Sequence, residues 1–122
     1  MKRTLLVVLT VLAIAGCSKN EIEIRNEAGG AVYFLFRGEQ YLVSSGSDTT
    51  ISDVPNGSYP FNTTFEVPPG MKSASSEDLD QELTFYRNQT HYTILYGSTS
   101  FEGNYVLNCS VSSTDPTNIV SE

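Results

Sequence analysis

Short segments of alternating polar and apolar residues, separated by turn residues, constrain the fold of this chain more than any other feature. Between Glu21 and Ser112, about eight such segments follow one another, with Gly, Pro and Asn clusters at spacings of about 8–12 residues. Alternation places successive side chains on opposite faces of a strand, and no window sustains the 3.6-residue period of an amphipathic helix. The pattern predicts an all-β protein, a single antiparallel β-sandwich of about seven or eight strands.

Turn residues mark where these strands begin and end. Pro55–Ser58 is the clearest turn, because Pro presets its own φ and Asn-Gly tolerates positive φ at little cost. Hairpin turns are also predicted at Arg37–Glu39 and at Phe101–Asn104. Alternation around the turns predicts strands over residues 21–25, 31–36, 40–43, 48–54, 59–67, 82–87, 91–100 and 105–112.

Residues 71–81 form the longest region without strand character. Ser75 followed by acidic residues resembles a helix N-terminus, so either one or two helical turns or an acidic loop is predicted here. A calcium loop of the EF-hand type needs a Gly at its sharp turn, which the acidic cluster lacks, and Leu79 interrupts the acids. A solvated loop is therefore favoured over a cation site, and no metal is predicted. The acids concerned are Glu77, Asp78, Asp80 and Glu82.

The first 16 residues have the layout of a secretory signal rather than of a mature element. A positive start, Met1–Arg3, precedes an apolar run of 11 residues from Leu5 to Ala15, interrupted only by Thr10. This run is well short of the roughly 20 residues that a membrane-spanning helix needs. We therefore expect an N-terminal signal helix over residues 1–16 that is removed from the mature chain.

The end of this segment, Ile14-Ala15-Gly16-Cys17, resembles the lipobox of bacterial lipoprotein precursors position by position. The resemblance implies a diacylglyceryl thioether on Cys17, cleavage before this residue, and acylation of the new amino terminus. It also implies the outer membrane, because Ser18 differs from the Asp that retains lipoproteins in the inner membrane in enterobacteria-like sorting. An ordinary signal peptide, with Cys17 incidental, is the alternative.

The mature chain of 106 residues suits one domain. We expect a lipidated tether at 17–20, the sandwich at 21–112 and a flexible tail at 113–122. Five basic residues remain against 14 acidic ones, a net charge of −9. Such a charge repels nucleic acid and anionic lipid headgroups, so no nucleic-acid partner is expected and the acyl chains hold the membrane.

Lipidation of Cys17 excludes a disulfide between Cys17 and Cys109, the two cysteines of the chain. Alternation places Cys109 on one strand face with Tyr105, Leu107 and Val111. A buried cysteine that acts as a small apolar residue is therefore favoured over a reactive thiol.

Recognisable catalytic motifs are absent from the sequence. The single histidine, His91, opens a strand beside a turn, where a surface role is favoured over that of a catalytic base. No Gly-x-Ser-x-Gly elbow, His-x-x-x-His pair or paired-Cys motif occurs, so neither zinc nor another cofactor is predicted. A small hydrolase that uses the acids of 77–82 is a remote option, and the absence of Trp disfavours glycoside hydrolysis. The chain is predicted not to be an enzyme.

Aromatic residues are the remaining candidates for function, with seven Tyr and six Phe in the chain. Alternation directs about half of them to the core. Tyr33, Tyr41 and Tyr86 are the candidates for outward-facing contacts with a peptide, glycan or protein. Cross-strand pairing that only stabilises a sheet is the favoured alternative.

The segment Ile51–Tyr59 is similar to the apolar-x-Pro-x-Gly-x-Tyr corner of small bacterial β-sandwich modules of the PEGA and transthyretin-like type. This likeness implies an envelope accessory domain without catalysis. We therefore expect a lipid-anchored, non-catalytic envelope lipoprotein that binds a protein or a cell-surface polymer. The alternative is a periplasmic inhibitor or immunity-type protein whose acidic surface occludes a basic enzyme.

Overall fold

Nine strands in two facing sheets make up the described part of the chain. The computed structural model describes residues 19–77 and 79–114. The predicted signal segment, Cys17, Ser18, Asp78 and the tail from residue 115 lie outside these residues. The strands are β1 (Asn20–Asn26), β2 (Val32–Phe36), β3 (Glu39–Val43), β4 (Asp48–Val54), β5 (Gly57–Phe65), β6 (Ser73–Glu77), β7 (Gln81–Phe85), β8 (His91–Phe101) and β9 (Asn104–Thr114).

Sheet A has the strand order β4-β1-β8-β9-β6, and sheet B has the order β3-β2-β5-β7. The two sheets share one core, so the predicted all-β sandwich is confirmed. The strand count of seven or eight is wrong, since the described residues form nine strands. The expectation of purely antiparallel sheets is also wrong, because β1 pairs with β8 and β6 pairs with β9 in parallel. Parallel neighbours need a crossover connection, and between the members of each pair the chain passes through sheet B.

The segment predicted as helical turns or a loop contains the edge strand β6. All five of its side chains are exposed, and its sequence is Ser-Ala-Ser-Ser-Glu. Alternation reveals a strand only when one face is apolar, so a fully exposed edge strand leaves no such pattern. Backbone pairing with β9 holds β6 in place, and the N–H of Lys72 donates to the carbonyl of Gly103 over 2.7 Å just before it. Ser75 is therefore a strand residue rather than a helix cap.

The core lies between the two sheets. It consists of the residues at every second position along the strands, whose side chains face inward. Phe34 of β2 and Phe61 of β5 are fully buried, with ring centroids 4.9 Å apart. The face predicted for β9 is confirmed: Tyr105, Leu107 and Cys109 are buried on it, and Val111 packs against the core.

The hydroxyl groups of two buried tyrosines form hydrogen bonds with polar partners. Tyr96 of β8 shares a hydrogen bond with the hydroxyl of Thr63 on β5, which links the two sheets through the core. Tyr105 accepts a hydrogen bond of 3.1 Å from the N–H of Gly30. Burial without a partner is costly for a hydroxyl group, so these contacts explain how large polar aromatic side chains sit inside the sandwich.

Loops cluster at two ends of the sandwich. The N-terminal end consists of Lys19 and the connections 37–38, 55–56 and 86–90, because β1 and β8 begin there. The opposite end consists of the connections 27–31, 44–47, 66–72 and 102–103. Over the described ranges, no helix has the length and apolar character needed to span a membrane.

Candidate binding surface

An apolar patch lies on the outer face of sheet B, where β2 and β3 pair. We call Tyr33, Leu35 and Leu42 the β2–β3 patch. Leu35 and Leu42 are 41% and 56% exposed, and Tyr33 lies directly opposite Leu42 across the strand pair. β2 is apolar on both faces, whereas a sandwich strand with a solvated outer face normally alternates. The patch is therefore apolar surface beyond what the core requires.

Tyr33 is held at the border of this patch by an acidic neighbour. Its hydroxyl donates a hydrogen bond of 2.5 Å to Oε2 of Glu66. This bond, with burial and the nearby negative charge as smaller causes, raises the pKa of Tyr33 above its ordinary value. The ring is thereby oriented, and a carboxylate lies beside the apolar surface.

Tyr41 faces the other side of sheet B. It lies opposite the buried Phe34 and packs against the core, with its hydroxyl 2.7 Å from Oε1 of Glu39. The hydrogen bond to Glu39 is the main cause of a raised pKa for Tyr41, and nearby Arg37 opposes the shift. β3 is an edge strand of sheet B, so among the described residues a strand pairs with only one side of its backbone, as at the sheet edges to which other chains can add.

Tyr86 lies in the loop 86–90 at the N-terminal end and is half-buried. Its N–H donates to Oγ1 of Thr90 over 3.1 Å, and the hydroxyl of Thr90 donates back to its carbonyl over 3.0 Å. The three predicted contact residues therefore do not share one surface: Tyr33 faces outward, Tyr41 faces the core, and Tyr86 lies at one end.

Within the described part of the chain, four large apolar residues that were not among the predicted contacts are exposed. Two of them, Leu35 and Leu42, could have been found from the sequence, because apolar residues at both odd and even positions of one strand leave some facing water. Phe101 is 72% exposed and Val67 is 42% exposed, both at the opposite end. The exposure of Phe101 could have been expected from its position directly before the Glu102-Gly103 turn.

The N-terminal end contains a buried polar network centred on Asn20, a residue expected in the tether. Nδ2 of Asn20 donates to the carbonyl of Val54 and to Oδ1 of Asn56, each over 2.9 Å. Oδ1 of Asn20 accepts from the N–H of Thr90 over 2.9 Å. Oδ1 of Asn56 also accepts from the N–H of Asn88 over 3.1 Å. Asn20 is fully buried, so the first strand and two loops are fastened together at the start of β1.

The candidates for acid–base or metal chemistry lie on different elements of the fold. Glu77 lies on β6 of sheet A, whereas Glu82 lies on β7 of sheet B, and Asp80 accepts a hydrogen bond of 3.2 Å from the N–H of Thr63. His91 is exposed, with Nε2 3.0 Å from the carbonyl of Lys19. Within 19–77 and 79–114, no group of three or more His, Cys, Asp or Glu side chains is arranged to hold a metal ion.

Comparison with known proteins gives no relative from which a role can be transferred to this surface. No protein-family model matches the chain, and no curated protein matches its sequence.

Proposed function

We propose that this chain is a lipid-anchored, non-catalytic envelope lipoprotein that acts as a binding or accessory module at the bacterial outer membrane. The observation that carries the proposal is the burial of Asn20, only three residues after the lipobox Cys17. Three extended residues reach at most about 10 Å. A lipid on Cys17 would therefore hold the folded body directly at the membrane surface.

Metabolic labelling with palmitate tests the anchor, and the chain offers a matched control in its second cysteine. We expect Cys17→Ala to abolish incorporation and to release the protein from the membrane fraction, because no other residue of the lipobox carries a thiol. Cys109→Ala should retain the label, since Cys109 is buried in the core. Label that persists in Cys17→Ala would refute the anchor.

The contact surface in this proposal is the β2–β3 patch beside the open edge of β3. It combines exposed apolar side chains with an edge strand, which are the two elements by which a strand or loop of a partner adds to a sheet. The partner class is a protein or a cell-surface polymer.

A photoreactive residue placed at Leu42 tests this surface in the anchored protein in cells. We expect Leu42 to yield a discrete crosslinked partner, whereas the same residue at Ser110, exposed on the outer face of sheet A, should not. Equal crosslinking from both positions would show that the β2–β3 patch has no special role.

The inhibitor or immunity-type alternative draws support from the opposite end of the sandwich. There Phe101 is largely exposed, and the loops carry Glu27, Glu66 and Glu102 against the single basic residue Lys72. An exposed aromatic residue among carboxylates suits a basic protein target. A crosslinker at Phe101 that captures a basic enzyme, together with inhibition of that enzyme by the purified chain, would favour this alternative over the accessory module.

A further inference from the structure

Four strands of the described residues lie at sheet edges: β4 and β6 in sheet A, and β3 and β7 in sheet B. An edge strand offers backbone N–H and C=O groups to other chains, so proteins commonly block such edges with bulges, polar side chains or covering groups. The four edges of this sandwich differ in this respect.

Three of these edges are poorly suited to the addition of another strand. β4 has a bulge, because its register with β1 passes from Ser52 to Val54 and omits Asp53, whose φ is 59°. On β7, the hydroxyl of Tyr92 accepts from the N–H of Thr84 and donates to its carbonyl, each over 3.0 Å, in place of a further strand. β6, with the sequence Ser-Ala-Ser-Ser-Glu, has no large apolar side chain for a partner to cover.

β3 has neither a bulge nor a covering side chain among the described residues. It pairs with β2 in unbroken register, and the two-residue turn Arg37–Gly38 joins the strands. The pair that flanks such a turn, Phe36 and Glu39, exchanges both backbone hydrogen bonds. Because bonded pairs alternate along an antiparallel ladder, every second residue from Glu39 bonds to β2, whereas Gln40 and Leu42 direct their N–H and C=O groups to the sheet edge.

Backbone and apolar side chain are thus offered together at Leu42. Its side chain is 56% exposed on the outer face, and Tyr33 of the β2–β3 patch lies directly opposite on β2. A strand added to β3 would place a side chain of its own beside Leu42 on the same face. An apolar residue at that position would remove Leu42 from water, so the patch favours a partner with apolar residues at alternate positions.

The charges near this edge favour basic residues in the partner. β2, β3 and the loop 44–47 contain one charged residue, the exposed Glu39, and Glu66 adds a second carboxylate beside the patch. The guanidinium of Arg37 lies over the ring of Tyr59 on β5, which is on the far side of β2 from the edge. These three charges sum to −1, and the net charge of −7 for the whole chain has the same sign.

We propose that β3 is the acceptor edge for an extended protein segment, which adds to sheet B as a fifth strand and alternates apolar with basic residues. The apolar residues lie against the β2–β3 patch, and the basic residues lie on the side of Glu39. This inference deepens the proposed function and rests on its contact surface.

The backbone groups of Gln40 and Leu42 distinguish this occupant from two others. A polysaccharide has no N–H and C=O groups at the spacing of a strand, so it cannot continue the ladder. A second copy that pairs through β3 about a two-fold axis is antiparallel, so the starts of β1 in the two copies point in opposite directions. Two such copies cannot both place Cys17 at one membrane.

Selection from a random peptide library displayed on phage tests the sequence pattern, with the purified mature protein in detergent as the bait. We expect enriched peptides to have apolar residues at alternate positions with Lys or Arg between them. Enriched peptides without this alternation would overturn the inference, and so would equal enrichment on Leu42→Lys as the bait or no enrichment at all.

Amide hydrogen exchange, measured by NMR on the same protein with and without the most enriched peptide, tests the backbone contacts. We expect the peptide to slow exchange at Gln40 and Leu42 by at least about tenfold, whereas Tyr41, which bonds to β2, is protected in both states. Binding that leaves both edge amides unprotected would refute strand addition. Protection that appears without peptide and rises with protein concentration would overturn it in favour of a second copy.

Gln40→Pro removes one edge N–H and leaves the side chains of the β2–β3 patch unchanged. This N–H does not bond to β2, so the pairing of β3 with β2 should persist. We expect Gln40→Pro to weaken peptide binding about tenfold, as for one lost hydrogen bond, whereas Gln40→Ala retains the N–H and should bind like the wild type. Equal affinities in all three proteins would refute the inference, and the exchange measurement decides without a variant where proline lowers stability.

These outcomes are distinguishable from failure of the proposed function. A mature protein whose mass shows no acyl chain would refute the lipid anchor and leave peptide selection and amide protection unaffected. Equal crosslinking in cells from Leu42 and Ser110 would refute the contact surface. Discrete crosslinking from Leu42 without protection of the edge amides would refute strand addition alone.

Discussion

Truncation of Asn20 to Ala should destabilise the domain far more than its position at the start of the first strand suggests. The side chain is fully buried and makes three hydrogen bonds, to Val54, Asn56 and Thr90. Alanine leaves the Thr90 N–H and the Val54 carbonyl without this partner, and each unsatisfied buried group costs about 1–3 kcal/mol. Water reaches the exposed Asn56, so the third bond adds little. We expect the free energy of unfolding to fall by about 3 kcal/mol.

Urea and thermal unfolding of the mature protein, followed by far-UV circular dichroism, measure this loss. For a domain of this size, about 3 kcal/mol corresponds to a fall in Tm of about 15 °C. Asn62→Ala is the matched control, because Asn62 is exposed on the outer face of β5 and its loss should change stability by less than about 0.5 kcal/mol. A loss below about 1 kcal/mol in Asn20→Ala, or equal losses in both variants, would refute the reasoning.

Asn20→Asp separates the two halves of the network. A carboxylate still accepts from the Thr90 N–H, but it has no proton to donate to the oxygens of Val54 and Asn56. Its negative charge would instead lie against these two oxygens. At neutral pH we expect a loss at least as large as in Asn20→Ala. Stability close to that of the wild type would show that the Thr90 contact alone matters.

Three further predictions concern the core, a loop and the surface. Burial raises the pKa of Tyr96 well above the ordinary 10.0, so its neutral form stabilises the fold below pH 10 and this contribution is lost as pH rises further. The stability difference between wild type and Tyr96→Phe should therefore shrink by up to about 1.4 kcal/mol per pH unit above about pH 10, and a constant difference in urea titrations would contradict this. Gly30→Ala would place a Cβ 2.4 Å from the backbone oxygen of Glu66, so its urea midpoint should fall by the equivalent of about 1–3 kcal/mol, whereas an unchanged midpoint would show that the loop yields. Leu42→Lys should change stability by less than about 0.5 kcal/mol but weaken partner capture about tenfold, and undiminished capture would exclude the β2–β3 patch.

Strands with one apolar face could be predicted from the sequence because alternation and turn residues act locally. β4 has the predicted bounds Asp48–Val54, and the first hairpin turns at Arg37–Gly38 within the predicted segment. β6 could not be found in this way, since all its side chains are exposed. The parallel pairing of β1 with β8 depends on contacts between distant segments, which local patterns do not encode.

The candidate surfaces were less accessible to sequence reasoning than the core. Tyr33 faces outward as predicted, whereas Tyr41 faces the core because its position in β3 matches that of Val43, a residue of the inner face. The net charge of −9 is a sum over the mature chain and carries no information about where the charges lie. Folding brings Arg37 and Arg87, 50 residues apart in sequence, to one end of the sandwich.

The position of β1 inside sheet A has a mechanical consequence. β1 is flanked by β4 on one side and β8 on the other, and its first residue is the point nearest to the proposed anchor. A partner that pulls on the far end of the domain loads β1 along its own axis. The hydrogen bonds on both sides of the strand then bear the force together in shear, instead of opening one after another as in a peeled edge strand. If the proposed anchor is present, attachment at this strand would let the domain transmit tension to the membrane before it unfolds.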